Sequence, residues 1–288
     1  MIEFRPLQFT DILDGSFALF RSSLRVMVPV VLLVMAPVQL VAAFAQREAL
    51  SFGFTGILDD PTAADALLGS GGVTAGLLIS LAVQMLIAPI LAGVLVHIAG
   101  AHMFGRQVTM RQAVLATLGK SGWLVGAYLL IGLVRVLLLG LAFLAFAAGS
   151  AVGVTVLIVL GAAVFVGLTP LFAVITPAIM LESVAPVAAI RHAITLAQGA
   201  YWRVAGVMLG TSFVFNLLAL LLAGIPNVIG VVGGLGFGWV LVGLASVLSQ
   251  LIVAPLNASA MVLLHADLQM RQEGMDFDVV LGRMAVPA

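Results

Sequence analysis

Apolar residues in this chain do not alternate with polar ones. They come in long runs, about 26–45, 73–101, 122–148, 153–181, 204–222 and 235–264, divided by short polar stretches. A helix needs roughly 20 apolar residues to cross the hydrocarbon core of a bilayer. The pattern therefore predicts six transmembrane helices. The polar stretches carry a second pattern, with apolar residues recurring every three or four positions. Ile12, Leu13, Phe17, Phe20 and Leu24 form one such face, Met110, Val114 and Leu118 a second, and Val187, Ile190, Ile194 and Ala197 a third. These faces, near 10–21, 109–119 and 186–198, predict short amphipathic helices lying on the membrane surface. Thr10 and Thr109 are the expected N-caps. Pro186 suits the first turn of the third surface helix.

A motif recurs in register with these elements. Residues 84–92 read Gln-Met-Leu-Ile-Ala-Pro-Ile-Leu-Ala, residues 250–258 read Gln-Leu-Ile-Val-Ala-Pro-Leu-Asn-Ala, and residues 169–173 keep the core Thr-Pro-Leu-Phe-Ala. Pro89, Pro170 and Pro255 are spaced by 81 and 85 residues, and Gln84 and Gln250 each stand five residues before their proline. The expected architecture is an all-α polytopic membrane helix bundle: three hairpins, each with a proline-kinked second helix and a surface helix before it. The whole of 1–288 then forms one membrane domain, with pseudo-repeats at about 6–104, 105–181 and 182–270 and a charged tail at 265–288. Pro29 and Pro37 fall in the first span, where neighbouring helices can satisfy the carbonyls they free.

The connections are read from their turn residues. Residues 46–72 are polar and end in Gly69-Ser70-Gly71-Gly72, a flexible loop. Tight turns are expected at Gly149–Gly153 and over the Gly-rich stretch Gly224–Gly234. Trp123, Tyr201 and Trp202 mark interfaces. Ala43-Phe44-Ala45 imitates a signal-peptidase site, but the repeat requires the first helix, so its retention is expected.

Composition sharpens the picture. Only 8% of the 288 residues are charged and 63% are hydrophobic, against about 25% charged in soluble domains. So few charges cannot cover a surface in water. Net charge is zero and no basic patch exists, which removes the case for nucleic acid. The absence of cysteine excludes disulfides and thiolate chemistry. With both termini in the cytoplasm, the inner loops and tails hold Arg5, Arg21, Arg25, Arg106, Arg111, Lys120, Arg191, Arg203, Arg271 and Arg283. The outer side holds only Arg47. That bias sets the expected orientation.

Arg135 lies about a dozen residues into the third span and is followed by apolar sequence, so it cannot easily reach water outward. A charge at that depth costs roughly 2.5 to 3.5 kcal/mol on insertion scales. It should face the bundle interior, toward carbonyls freed by Pro89, Pro170 or Pro255, toward the amides of Gln84, Gln250, Asn216 and Asn257, or toward an anion. Arg135, Gln84, Gln250 and Asn257 are thus the candidate intramembrane polar site. Side-chain amides also serve simply as glue between helices. His97, His102, His192 and His265 are expected to lie singly and near the cytoplasmic side, and none has a second ligand at helical spacing, so no metal site is expected. Glu182 is expected to pair with Arg191 or Arg203. No Walker loop, Ser-His-Asp set or paired carboxylates occur in suitable context; the alternating glycines at 234, 236 and 238 open a membrane helix instead. No cofactor and no enzymatic activity are expected.

Three segments carry a family likeness: Phe9-Thr-Asp-Ile-Leu-Asp-Gly-Ser-Phe17 with Leu19-Phe20-Arg21; Leu181-Glu-Ser-Val-Ala-Pro186 with Ala189-Ile-Arg-His192 and Gly199-Ala-Tyr-Trp202; and Leu263-Leu-His-Ala-Asp267-Leu-Gln-Met-Arg-Gln-Glu-Gly-Met-Asp-Phe277. The chain thereby resembles the membrane-domain family named after bacterial glycerophosphoryl diester phosphodiesterases. His265-Ala266 departs from the aromatics often found there. The resemblance implies a multi-pass protein of the bacterial cytoplasmic membrane. Some members are fused to a soluble catalytic barrel, for which this chain has no room, so the activity in the family name does not carry over. The expected function is that of a non-enzymatic accessory protein that binds membrane lipids or another membrane protein in the cell envelope. The alternative is a small permease or lipid transporter built around Arg135.

Overall fold

The computed structural model describes residues 8–47, 79, 82–147, 151–197, 201–232 and 236–272. The acidic stretch 48–72, most of the first half of the second span, residues 148–150 at the start of the expected Gly149–Gly153 turn and the tail beyond 272 lie outside the described residues; 151–153 already belong to a helix. Among the described residues eight α-helices and one π-helical turn follow in order: α1 (Phe9–Ala45), the π turn (Val83–Ile87), α2 (Ala88–Met103), α3 (Met110–Leu118), α4 (Ser121–Ala147), α5 (Ala151–Leu181), α6 (Pro186–Ala197), α7 (Tyr201–Val232) and α8 (Gly238–Gln272). The protein is an all-α bundle with six helices long and apolar enough to cross a membrane, belonging to α1, α2, α4, α5, α7 and α8.

Two of the three expected surface helices stand alone, and local sequence explains why. After α2 the chain turns at Gly105, whose φ of +68° suits glycine. Thr109 then caps α3: its hydroxyl accepts from the Gln112 N–H, and the Gln112 side chain accepts from the Thr109 N–H. After α5 the break falls at Ser183, with φ of +60°, and Pro186 opens α6. The first copy has no such breaker between Leu24 and Val26. There the expected surface helix is continuous with the first span, as the 37-residue α1. Its cap is Gln8 rather than Thr10, with Asp11 Oδ2 accepting from the Gln8 N–H at 2.8 Å.

The hairpin scheme also changes at the first copy. Helices α4 and α5 pack along each other, as do α7 and α8, but α1 packs chiefly along α8 rather than α2. The pairing is antiparallel. A Cβ on Gly15 would meet Leu263, and a Cβ on Gly243 would meet Leu40 and Ala43. The long segment between α1 and α2 leaves them free to separate, whereas the short α7–α8 connection forces adjacency. The expected turn at Gly224–Gly234 is helical through Val232, because apolar backbone in lipid must satisfy its own hydrogen bonds. The close passage comes at Gly230 and Gly238, where the two backbones touch and leave no room for a side chain.

The buried core lies in α2, the second half of α5 and the second half of α8, with Met27, Val30 and Val31 of α1 against them. Leu133, Leu137 and Leu141 of α4 and Phe213, Leu221 and Ile225 of α7 face outward, as lipid-facing side chains do.

Candidate functional site: a polar cavity and an ionic cluster

Four helices and the π turn line a cavity of about 390 Å³. Each contributes through its own periodicity. On α4, Tyr128, Gly132 and Arg135 fall four and three residues apart and so share one face. On α1, Met35, Val38, Gln39 and Ala42 do the same. Val83 and Met85 come from the π turn, Ala88 from the start of α2, and Gln250 from α8.

Two of the four residues expected to form an intramembrane polar site, Arg135 and Gln250, therefore meet here. Arg135 is also engaged by an interaction within the protein. Gln84 belongs to the π turn on the cavity wall, but its side chain lies outside the described residues. Asn257 lies elsewhere: its Oδ1 accepts from the Ser212 hydroxyl at 3.0 Å, joining α8 to α7. Asn216 donates to the Ser212 carbonyl within α7. The sequence-based expectation missed Gln39 and Tyr128. Their signal was present, in the i, i+3, i+4, i+7 stripe of α1 and the stripe that Tyr128 shares with Arg135. The Tyr128 hydroxyl pairs with Thr176 at 2.9 Å and ties α4 to α5 beside the cavity.

The three repeat prolines differ locally. Pro89 follows directly on the π turn, where the Ala88 N–H reaches back five residues to the Val83 carbonyl. A proline ring clashes with the carbonyl four residues before it, here that of Met85, and one widened turn relieves that clash. Helices α5 and α8 run through Pro170 and Pro255 without a π turn. The Pro170 nitrogen can offer no proton to the Val166 carbonyl. The Tyr201 hydroxyl reaches that carbonyl at 3.2 Å and the Gly167 carbonyl at 2.6 Å. So a tyrosine of α7 serves the backbone that Pro170 frees.

A second polar site lies at the end of the bundle that carries α3 and α6. Glu182 Oε1 meets His265 Nε2 and Gln269 Nε2, each at 2.6 Å. Glu182 Oε2 lies 3.4 Å from His192 Nε2, an ion-pair distance without hydrogen-bond alignment. The expected partners Arg191 and Arg203 are not those found. Arg203 instead donates to Asp267 at 2.7 Å, and Arg271 reaches the same carboxylate at 3.1 Å. Asp267 is fully buried; α8 continues past His265 as helix, where a tail was expected, and carries it into the bundle. The Lys120 ammonium donates to the Met180 carbonyl at 2.9 Å and the Ser183 hydroxyl at 2.7 Å. Burial lowers the pKa of Lys120. For Glu182, burial acts upward, but the His265 hydrogen bond and the charges of His265 and His192 outweigh it and hold the carboxyl below its ordinary range.

The histidines thus do not all stand singly, since His192 and His265 flank one carboxylate. Among the described residues no group of three His, Asp or Glu side chains is arranged to hold a metal ion. The cluster's chemistry is that of a clasp joining the α5–α6 corner to α8. Among the described residues the cavity sets one cation and a few neutral polar groups in an otherwise apolar wall. No protein-family model, curated protein or solved structure matches the chain.

Proposed function

We propose that this integral membrane protein binds an anionic amphiphile or lipid in the cavity around Arg135, as a non-enzymatic accessory protein of the cell envelope. The observation that carries this reading is the meeting of Arg135 with Gln39, Tyr128 and Gln250 in a cavity walled otherwise by Met35, Val38, Ala42, Val83, Met85 and Ala88. A guanidinium among apolar side chains favours a ligand whose one end is anionic and whose remainder is hydrocarbon. The likeness to the stand-alone membrane domains of the glycerophosphodiester phosphodiesterase family agrees with this role. So does the arginine distribution, which supports a bacterial cytoplasmic membrane with both termini inside. A lipid or another membrane protein is the partner class. A second reading, a small permease or lipid transporter, draws on the π turn in the cavity wall, a local irregularity that recurs at functional sites.

The test is native mass spectrometry of the protein in nanodiscs of its native lipids, wild type beside Arg135→Gln. Wild type should retain an anionic adduct that the variant loses while staying helical and monodisperse. Equal adducts on both proteins, or none on wild type, would overturn the proposal.

A further inference from the structure

We infer that Met85 limits the length of a single apolar chain in the cavity, so that the ligand class is a one-chain anionic amphiphile. This rests on the reading of the cavity as an amphiphile site. Three observations carry it. First, among the described residues that line the cavity Arg135 carries the charge; Gln39, Tyr128 and Gln250 are neutral. Second, the cavity measures about 390 Å³. At about 30 Å³ per water-sized group it holds on the order of a dozen such groups, enough for a head group and part of one chain. Third, Met85 lies directly on the α4 backbone. A Cβ at Gly132 would come within 2.7 Å of Met85 Sδ and 2.8 Å of Cε.

Gly132 is three residues, or about 4.5 Å along a helix, from Arg135. An anion held by Arg135 therefore has the Met85 thioether about one turn away, across the path along α4. Methionine is unbranched and adaptable, and this one sits on the π turn rather than on regular α-helix. It makes a soft stop whose size sets how much chain enters. Removing its last three heavy atoms opens space for two or three methylenes. Adding a methyl at Gly132 pushes the thioether off α4 and into the cavity. Because the displaced atoms are the flexible end of a side chain, Gly132→Ala should still fold.

The experiment offers an equimolar mixture of monoalkyl phosphates of graded chain length to the purified full chain, with n-alkyl carboxylates in parallel. Bound species are read by native mass spectrometry for wild type, Met85→Ala, Gly132→Ala, the double variant and Arg135→Gln. Met85→Ala should shift the bound distribution to longer chains, changing the ratio of species two carbons apart about tenfold. Gly132→Ala should shift it to shorter chains. The double variant should follow Met85→Ala, since the added methyl then meets no thioether. The series that shows the shift, phosphate, carboxylate or both, identifies the head group. If Arg135→Gln abolishes binding but Met85→Ala leaves the chain-length distribution unchanged, the selector role is wrong and the amphiphile site stands. If wild type binds neither series, or binding survives Arg135→Gln unchanged, both fall.

Discussion

At the scale of residues, the inward and outward faces of the interfacial segments are not those that amphipathicity in water would assign. In α6 the fully buried positions are Ala189 and Ala193, while Val187 and Ile194 are 65% and 46% exposed. In α1 the buried stripe includes Ser16 and Ser23, each donating to a carbonyl of the preceding turn at 2.6 Å, whereas Phe17 and Leu24 turn outward. Lipid accepts large apolar side chains, so the protein interior takes small and self-satisfied polar ones. Glu182 carries a pH prediction at this scale. Its folded pKa lies below the ordinary carboxylate value of about 4.3. The folded protein therefore binds fewer protons than the unfolded chain in that range. The stabilisation is fully present above the ordinary value and is lost as pH falls through the lowered one. In detergent, wild type should lose melting temperature on acidification through this window more steeply than Glu182→Gln, and the two curves should converge. Parallel curves would mean that Glu182 is not the group responsible.

At the scale of elements, the presence of helix breakers distinguished the three amphipathic stretches. Gly105 and Ser183, both at positive φ, detach α3 and α6 from the helices before them. With no equivalent, the first amphipathic stretch continues into its span as α1. The prolines behave likewise: the shared motif at 84–92 and 250–258 is legible in sequence, yet only Pro89 is preceded by a π turn. Pro89→Ala supplies the missing N–H and removes the ring, so the segment should relax toward regular α-helix. Hydrogen exchange at residues 83–88 should slow in the variant relative to wild type, read by mass spectrometry of peptides covering that stretch. Because the change also draws Met85 away from Gly132, the variant should shift the bound amphiphile toward longer chains, as Met85→Ala does. Unchanged exchange would show that the π turn is held by packing against α4 rather than by the proline.

At the scale of the whole molecule, six spans and the arginine distribution predict that Arg47 and Arg106 lie on opposite sides of the membrane. The chain has no cysteine, so single substitutions report cleanly. In intact cells a membrane-impermeant thiol reagent should label Arg47→Cys and spare Arg106→Cys until the membrane is opened. Labelling of both from outside would overturn the orientation. The bundle and its helical class were determined by sequence alone, because the bilayer acts as a one-dimensional filter: a run of about 20 apolar residues has one stable fate in it. Caps at Thr109 and Pro186 were equally legible, since they depend on residues within one turn. The partners were decided only in three dimensions. Glu182 meets His265, 83 residues away, and Arg203 meets Asp267, 64 residues away. The Gly15–Leu263 and Gly243–Leu40 contacts bring the first and last helices together, and that pairing carries Gln39 and Gln250 into the lining of the cavity that Arg135 shares. Periodicity fixes which face of a helix a residue occupies; which helix that face meets depends on packing among six nearly uniform apolar surfaces, where small steric matches at glycine decide and hydrophobicity does not.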